Sequence, residues 1–236
     1  MSKTFYRNKG SKDNIVISLA GAHGVGKTTL FNLFKKIVKD NNKFKFFPER
    51  YIKNPPFPFG SSDKQIGFRS ELHFLQQLIK RNRNVINFDN KYNGRIIILD
   101  RTPLCVLIYS KSLNLKEKDY KLILDTYNSI DWKEDYILYL TAKPETILRR
   151  IIQRGSLEKI RREWNEEDKI YLLKILSSYK KFLSTKSNAI TIDTNDLTPE
   201  GVIEEIKNFI TVISDYSFTK MKQQSTTQMN IVKFLK

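Results

Sequence analysis

The chain is poor in cysteine, in acids and in long apolar runs. Its 236 residues include one cysteine, Cys105. That excludes an internal disulfide framework and points to a reducing compartment. No apolar run approaches the length of a membrane span, and Met1 to Asp13 is a basic, polar extension without the apolar centre of a signal peptide. A cytoplasmic location with no membrane partner is the expectation. Two histidines and one cysteine offer no zinc-ligand cluster. Acids number 25 against 42 Lys and Arg, a net charge of +17. Such charge either draws polyanions such as nucleotides, DNA or RNA, or is a lysine-rich solvated surface. The lysines are scattered over many helical stretches rather than massed in one block, which favours the second reading. The length suits one α/β domain with a full core.

One stretch organises what is there. Gly21-Ala22-His23-Gly24-Val25-Gly26-Lys27-Thr28 fits the phosphate-loop pattern G-x-x-x-x-G-K-[ST]. Asn14 to Ala20 before it reads as a buried strand, and Thr29 to Val38 after it carries apolar residues at helical spacing. Strand, glycine loop and helix together are the context the motif requires. Backbone N–H groups and the helix N-terminus would face the phosphates of a nucleoside triphosphate. Gly21, Gly24, Gly26, Lys27, Thr28 and Thr29 are therefore the expected triphosphate site, with Lys27 on the β/γ-phosphates and Thr28 on Mg²⁺.

Strand patterns recur at 43–47, 95–99, 136–140 and 189–193. Helical patterns intervene at about 64–83, 104–110, 117–129, 144–154 and 166–182, and a last one runs from Thr198 to about Ile213. The expected fold is α/β, a P-loop architecture with a five-stranded parallel sheet, helices on both faces and a helical lid at about 150–165. The proline-rich stretch Lys53 to Gly60 cannot be helix or central strand and is read as a loop. The domain is expected over 14–214, preceded by the basic extension 1–13 and followed by a flexible basic tail, 215–236.

In a parallel sheet of this kind the strand C-termini meet at the phosphate loop. That places Glu49, Asp100 and Arg101 at one crevice mouth with Lys27. Asp100 closes an apolar strand, where an acid supports Mg²⁺ or its waters; the alternative is a simple capping role. Glu49 is placed to accept a proton from an attacking hydroxyl or hold it in line, the alternative being a surface Glu beside Pro48. Arg150 and Arg154, four apart, share a helical face. With Arg161 and Arg162 they are candidates for a lid arginine that neutralises the moving phosphoryl group and excludes water.

Gly21–Thr28, Pro48-Glu49-Arg50, Asp100-Arg101-Thr102 and Leu140-Thr141-Ala142-Lys143-Pro144-Glu145 resemble, in order and spacing, the deoxynucleoside kinase and thymidylate kinase superfamily. Tyr171, Leu172, Ile175 and Tyr179 resemble the late helix of the deoxynucleoside kinases. Ile190 to Thr194 followed by Thr198-Pro199-Glu200 is similar to the last strand and turn that lie against adenine, which implies a role for Thr194 in binding ATP. The resemblance covers about 14–213. It implies an ATP- and Mg²⁺-dependent phosphotransferase, with Lys27, Glu49, Arg101, Arg150 and Arg154 as the catalytic set. The acceptor would be a nucleoside or nucleoside monophosphate.

Two branches compete. Deoxynucleoside kinases carry a Glu after the second strand, as at Glu49, and a base-reading Gln in the helix before the acid-Arg pair, where Gln76 and Gln77 stand. Thymidylate kinases place Asp-Arg where this chain has Gln76-Gln77, and their Arg-Glu-Pro-Gly is absent. Tyr109 nevertheless matches their substrate-side Tyr. The balance leans to a nucleoside acceptor. The lid departs from the family too, since Ser156 stands where another Arg is usual. The resemblance also implies a homodimer through helices flanking the acceptor site.

The chain ends in Gln228-Met229-Asn230-Ile231-Val232-Lys233-Phe234-Leu235-Lys236. This resembles a sliding-clamp-interacting peptide (PIP box, PCNA-binding), with Leu235 in place of the second aromatic. One helical turn would bring Ile231, Phe234 and Leu235 to an apolar pocket, with the Gln228 amide at its rim. The alternative is an amphipathic turn folding back on the domain. Together with the charge, the peptide supports a rival function, a clamp-associated P-loop ATPase acting on or near DNA.

Overall fold

The computed structural model describes residues 13–49, 57–58, 60–153 and 165–218. Five strands form one parallel sheet in the order β2-β3-β1-β4-β5. They are β1 (Ile15–Ala20), β2 (Phe44–Phe47), β3 (Ile96–Asp100), β4 (Tyr136–Thr141) and β5 (Ala189–Asp193). The helices are α1 (Lys27–Ile37), α2 (Lys64–Lys91), α3 (Cys105–Ser112), α4 (Glu117–Asn128), α5 (Pro144–Gln153), α6 (Lys169–Ser184) and α7 (Pro199–Ile213). The expected fold class is the one observed.

The sheet sorts its side chains by period 2. Ile15, Ile17, Ile96 and Ile98 join the large core that includes Leu30 and Phe34 of α1 and Ile206 and Ile210 of α7. Val16, Ile97 and Leu99, at the alternate positions, pack with Phe47, Val85 and Phe88 in a second cluster. That cluster explains why α2 runs to Lys91 rather than ending near Arg83. Val85 and Phe88 continue its apolar face, and no glycine or proline intervenes before Gly94. Asp63 caps the start of α2, accepting from the N–H groups of Gln65 and Ile66.

Register positions the site. Leu19 pairs with Asp100, and Phe47 with Leu99, so β1, β2 and β3 end at one level. Asp100 has the pleat parity of Ile96 and Ile98, which directs it toward α1.

The folded body reaches further than expected at its C-terminal side. Tyr216 meets Phe44 edge-on with ring centroids 5.1 Å apart, and Phe218 lies 5.8 Å from the same ring. These two rings pack on the aromatic cluster of Phe34, Phe44 and Phe46, past the expected domain end at 214. The extension 1–12 and the peptide Gln228–Lys236 lie outside the described residues.

Candidate active site

The phosphate loop is wound around its own lysine. Lys27 Nζ donates to the carbonyls of Gly21 and Ala22, both at 2.8 Å, and the residue is 6% exposed. Burial, then the charge of Arg101, brings its pKa down to about 8. A polyanion at the loop would reverse that shift. Gly24 has φ +76°, and a Cβ there would strike Ile151 at 2.6 Å. Gly26, at φ +107°, would point a Cβ into open space, and α1 begins at the next residue. A cradle rimmed by backbone N–H groups and closed by a helix N-terminus suits phosphate. Thr28 and Thr29 are exposed residues at that helix start.

Beside the loop, Thr28 Oγ1 donates to Asp100 Oδ2 at 3.2 Å. Asp100 is 3% exposed, and its other oxygen, Oδ1, is buried without a hydrogen bond. A buried carboxylate oxygen without a partner fits a metal ion or a metal-bound water. Thr28 and Asp100 are thus a donor set compatible with Mg²⁺.

Arg101 follows in a backbone conformation rare for a side-chain-bearing residue, φ +81°. Such a residue is held at a cost of about 1–2 kcal/mol. The restraint is Arg81, a fully buried arginine of α2. It donates from Nη1 to the Asp100 carbonyl, and from Nη2 to the Arg101 carbonyl at 2.6 Å. One guanidinium therefore fixes the backbone of both members of the Asp-Arg pair. Thr102 extends the anchorage by donating to Glu134 Oε2 at 3.1 Å.

The Arg101 side chain lies 2.9 Å from Glu49 Oε1 through Nε, an ion pair without hydrogen-bond alignment. Its guanidinium sits 5.0 Å above the Phe74 ring and 5.5 Å above that of Tyr109. Burial is the largest single influence and lowers its pKa, but Glu49 together with Cys105, Tyr109 and Tyr179 overcomes it and holds the arginine above its ordinary value. Tyr109 Oη accepts the His23 N–H at 3.0 Å, joining the Arg101 cluster to the phosphate loop. The His23 ring stacks on Tyr171 at 6.1 Å, and its Nε2 lies 3.1 Å from the Glu166 carbonyl.

The structure separates the remaining candidates. Gln76 is exposed on the face of α2 opposite Phe74. Gln77 is half-buried on the Phe74 side. Arg150 donates from Nη1 to Thr194 Oγ1 at 2.9 Å and from Nη2 to the Thr194 carbonyl at 2.6 Å. It also reaches the Val25 carbonyl at 3.4 Å. Here it ties α5 and the end of β5 to the phosphate loop. Arg154, Arg161 and Arg162 lie outside the described residues.

The sequence reading gave no role of their own to Arg81 and Glu71. Both lie on α2 and are nearly inaccessible, at 2% and 4% exposure. A charged residue on the apolar stripe of an otherwise amphipathic helix was the available signal.

Residues 17–215 match the family model for deoxynucleoside kinase. The chain belongs to the deoxynucleoside kinase family. The enzyme is accordingly an ATP-dependent kinase of deoxynucleosides, and the nucleoside branch is preferred over the thymidylate kinases. It resembles a solved deoxyadenosine kinase from M. mycoides with the products dCMP and a flexible dCDP bound, at 25% identity and a TM-score of 0.63. The match covers 84% of this chain and all of that one. The structure of the M. mycoides deoxyadenosine kinase with dATP matches at 24% identity over the same shares, again with a TM-score of 0.63. Comparison with curated proteins finds no match. Among the described residues no helix is long and apolar enough to cross a membrane.

Proposed function

We propose that Glu49 takes the proton of a deoxynucleoside 5′-hydroxyl as that oxygen attacks the γ-phosphorus of ATP. The observation that carries this is the Glu49–Arg101 pair, 2.9 Å apart at the strand ends beside Lys27 and Asp100. The arginine holds the carboxylate at the acceptor side and offers positive charge where the transferred group arrives. Lys27 leaves its loop carbonyls for the β/γ-phosphates, and the loop N–H groups orient them. Thr28 and Asp100 would hold Mg²⁺, which neutralises charge on the phosphate oxygens when bound. Thr194, braced by Arg150, supports the donor-nucleoside side.

The similar M. mycoides enzyme is a deoxyadenosine kinase whose solved structure holds the deoxycytidine nucleotides dCMP and dCDP. Deoxyadenosine and deoxycytidine are therefore the acceptors proposed for this kinase. A coupled assay with Mg-ATP and all four deoxynucleosides should show turnover of these two. No turnover of any nucleoside would overturn the reading. The 228–236 peptide is proposed as a clamp ligand on its pattern alone. Deleting Gln228–Lys236 should abolish clamp binding and leave kinase activity intact, and clamp affinity unchanged by the deletion would remove the idea.

A further inference from the structure

β2 is the shortest strand of the sheet, lies at its edge and leads straight to Glu49. It pairs with β3 alone, so its seating depends on what covers its side chains. On one face Phe47 packs with Val16, Val85 and Leu99. On the other, Phe34 of α1 meets Phe44 at 5.5 Å, and two rings from beyond α7 complete the cover. These are Tyr216 at 5.1 Å and Phe218 at 5.8 Å. Their approach is held by specific bonds. Ser214 Oγ accepts the Tyr216 N–H at 3.2 Å as the chain leaves α7. Tyr216 Oη accepts from Asn41 Nδ2, and Oδ1 of the same amide accepts the Lys43 N–H at 2.9 Å. One side chain thus ties the turn that enters β2 to the ring that covers it. Tyr216 and Phe218 meet edge-on at 4.8 Å, and Lys207 of α7 stands 5.8 Å over the Phe218 ring.

We infer that Tyr216 and Phe218 are positioning residues for Glu49: by holding Phe44 they fix β2, and through it the carboxylate that faces the acceptor. This rests on the reading of Glu49 as the base. Only Pro48 separates Phe47 from Glu49, and its ring removes one backbone rotation from that link. A displacement of β2 is therefore passed on to the carboxylate. Arg101, 2.9 Å from Glu49 Oε1, cannot follow such a movement freely, because Arg81 holds its carbonyl at 2.6 Å. The ion pair is thus set from two sides, by Arg81 behind β3 and by the two rings on β2. Transfer to an oriented hydroxyl tolerates little error, and a misplacement of about 1 Å costs about 10²-fold. The donor side is secured separately, since Leu30 and Phe31 seat the start of α1 in the large core. Loss of the two rings should therefore act on kcat and spare ATP binding.

The test is a double-mutant cycle in the full chain, with Tyr216→Ala/Phe218→Ala made in wild type and in Glu49→Gln. In wild type the ring removal should lower kcat about tenfold, with KM for ATP within about twofold. In Glu49→Gln, where no base remains to be misplaced, the same removal should cost less than about twofold. Tyr216→Phe keeps the ring and loses only the bond from Asn41, so its kcat should fall by no more than about threefold. Amide hydrogen exchange over residues 44–47 should quicken about tenfold in Tyr216→Ala/Phe218→Ala while exchange in β1 stays at the wild-type rate. If that variant does not fold, Phe218→Ala alone carries the same cycle, with a fall of about threefold expected. An unchanged kcat, or an equal loss in both backgrounds, overturns the inference and leaves Glu49 as the base. Glu49→Gln with the wild-type kcat overturns the base reading itself, and the inference with it.

Discussion

The donor side of the cleft is one unbroken run, Gly21 to Thr28, whereas the acceptor side draws side chains from β3 (Asp100, with Arg101 just past it), from Glu49 beyond β2, and from α2, α3 and α6. The donor run works chiefly through backbone N–H groups, and its chemistry follows from glycine spacing and one lysine. The acceptor side works through buried charges and rings: Glu49 against Arg101, Arg101 over Phe74 and Tyr109, and Arg81 behind them. A backbone site tolerates varied neighbours, but a site of buried charges must solve its desolvation locally. That is why the acceptor side carries a fully buried arginine and a residue at positive φ, while the donor side needs only glycines.

The contrast can be broken at its strongest point first. Lys27→Ala should lower kcat by about 10³-fold, since charge on the transferring phosphoryl loses its principal protein cation. Glu49→Gln should cost about 10²–10⁴-fold in kcat while ATP still binds, measured by nucleotide titration beside the coupled assay. An unchanged kcat would show that Glu49 is not the base. Arg81→Met tests whether the acceptor side depends on its buried support. Loss of two charge-assisted bonds to carbonyls should destabilise the fold by about 3 kcal/mol and lower kcat about tenfold or more through Arg101, with ATP affinity little changed. A variant that melts early yet keeps full kcat would confine Arg81 to stability.

Smaller effects sharpen the donor side. The protonated form of Lys27 is the one that attracts phosphate, and in the unloaded enzyme it is present below about pH 8. The KM for ATP should therefore rise as pH passes 8, and a flat profile would show that the lysine is already displaced from its carbonyls. Arg150→Ala should cost about 1 kcal/mol in stability and a few-fold in KM for ATP, because its bonds are to Thr194 and Val25. A loss of about 10²-fold in kcat instead would restore the role of a lid arginine expected from its sequence position.

Much of this molecule was legible before its structure. The phosphate loop, the parallel sheet and the Asp100-Arg101 pair follow from local patterns, because glycine geometry and apolar periodicity act over a few residues. Glu49 was legible as a residue after a short strand, although its partner was not. Gln76 and Gln77 look alike in sequence, and only the packing of α2 tells the exposed one from the half-buried one. The end of α2 and the packing of Tyr216 and Phe218 were missed for a similar reason, since contacts across the sheet and with Phe44 set them.

The sequence by itself determined that the chain binds a nucleoside triphosphate on a parallel α/β sheet, since strand, loop and helix there are contiguous and self-contained. Only the tertiary structure decided which charges are buried and with whom. It made Arg81 the brace of Asp100 and Arg101, and it left Glu71 without a counter-ion. Desolvation and pairing are properties of neighbours brought together from distant parts of the chain, and no local pattern records them.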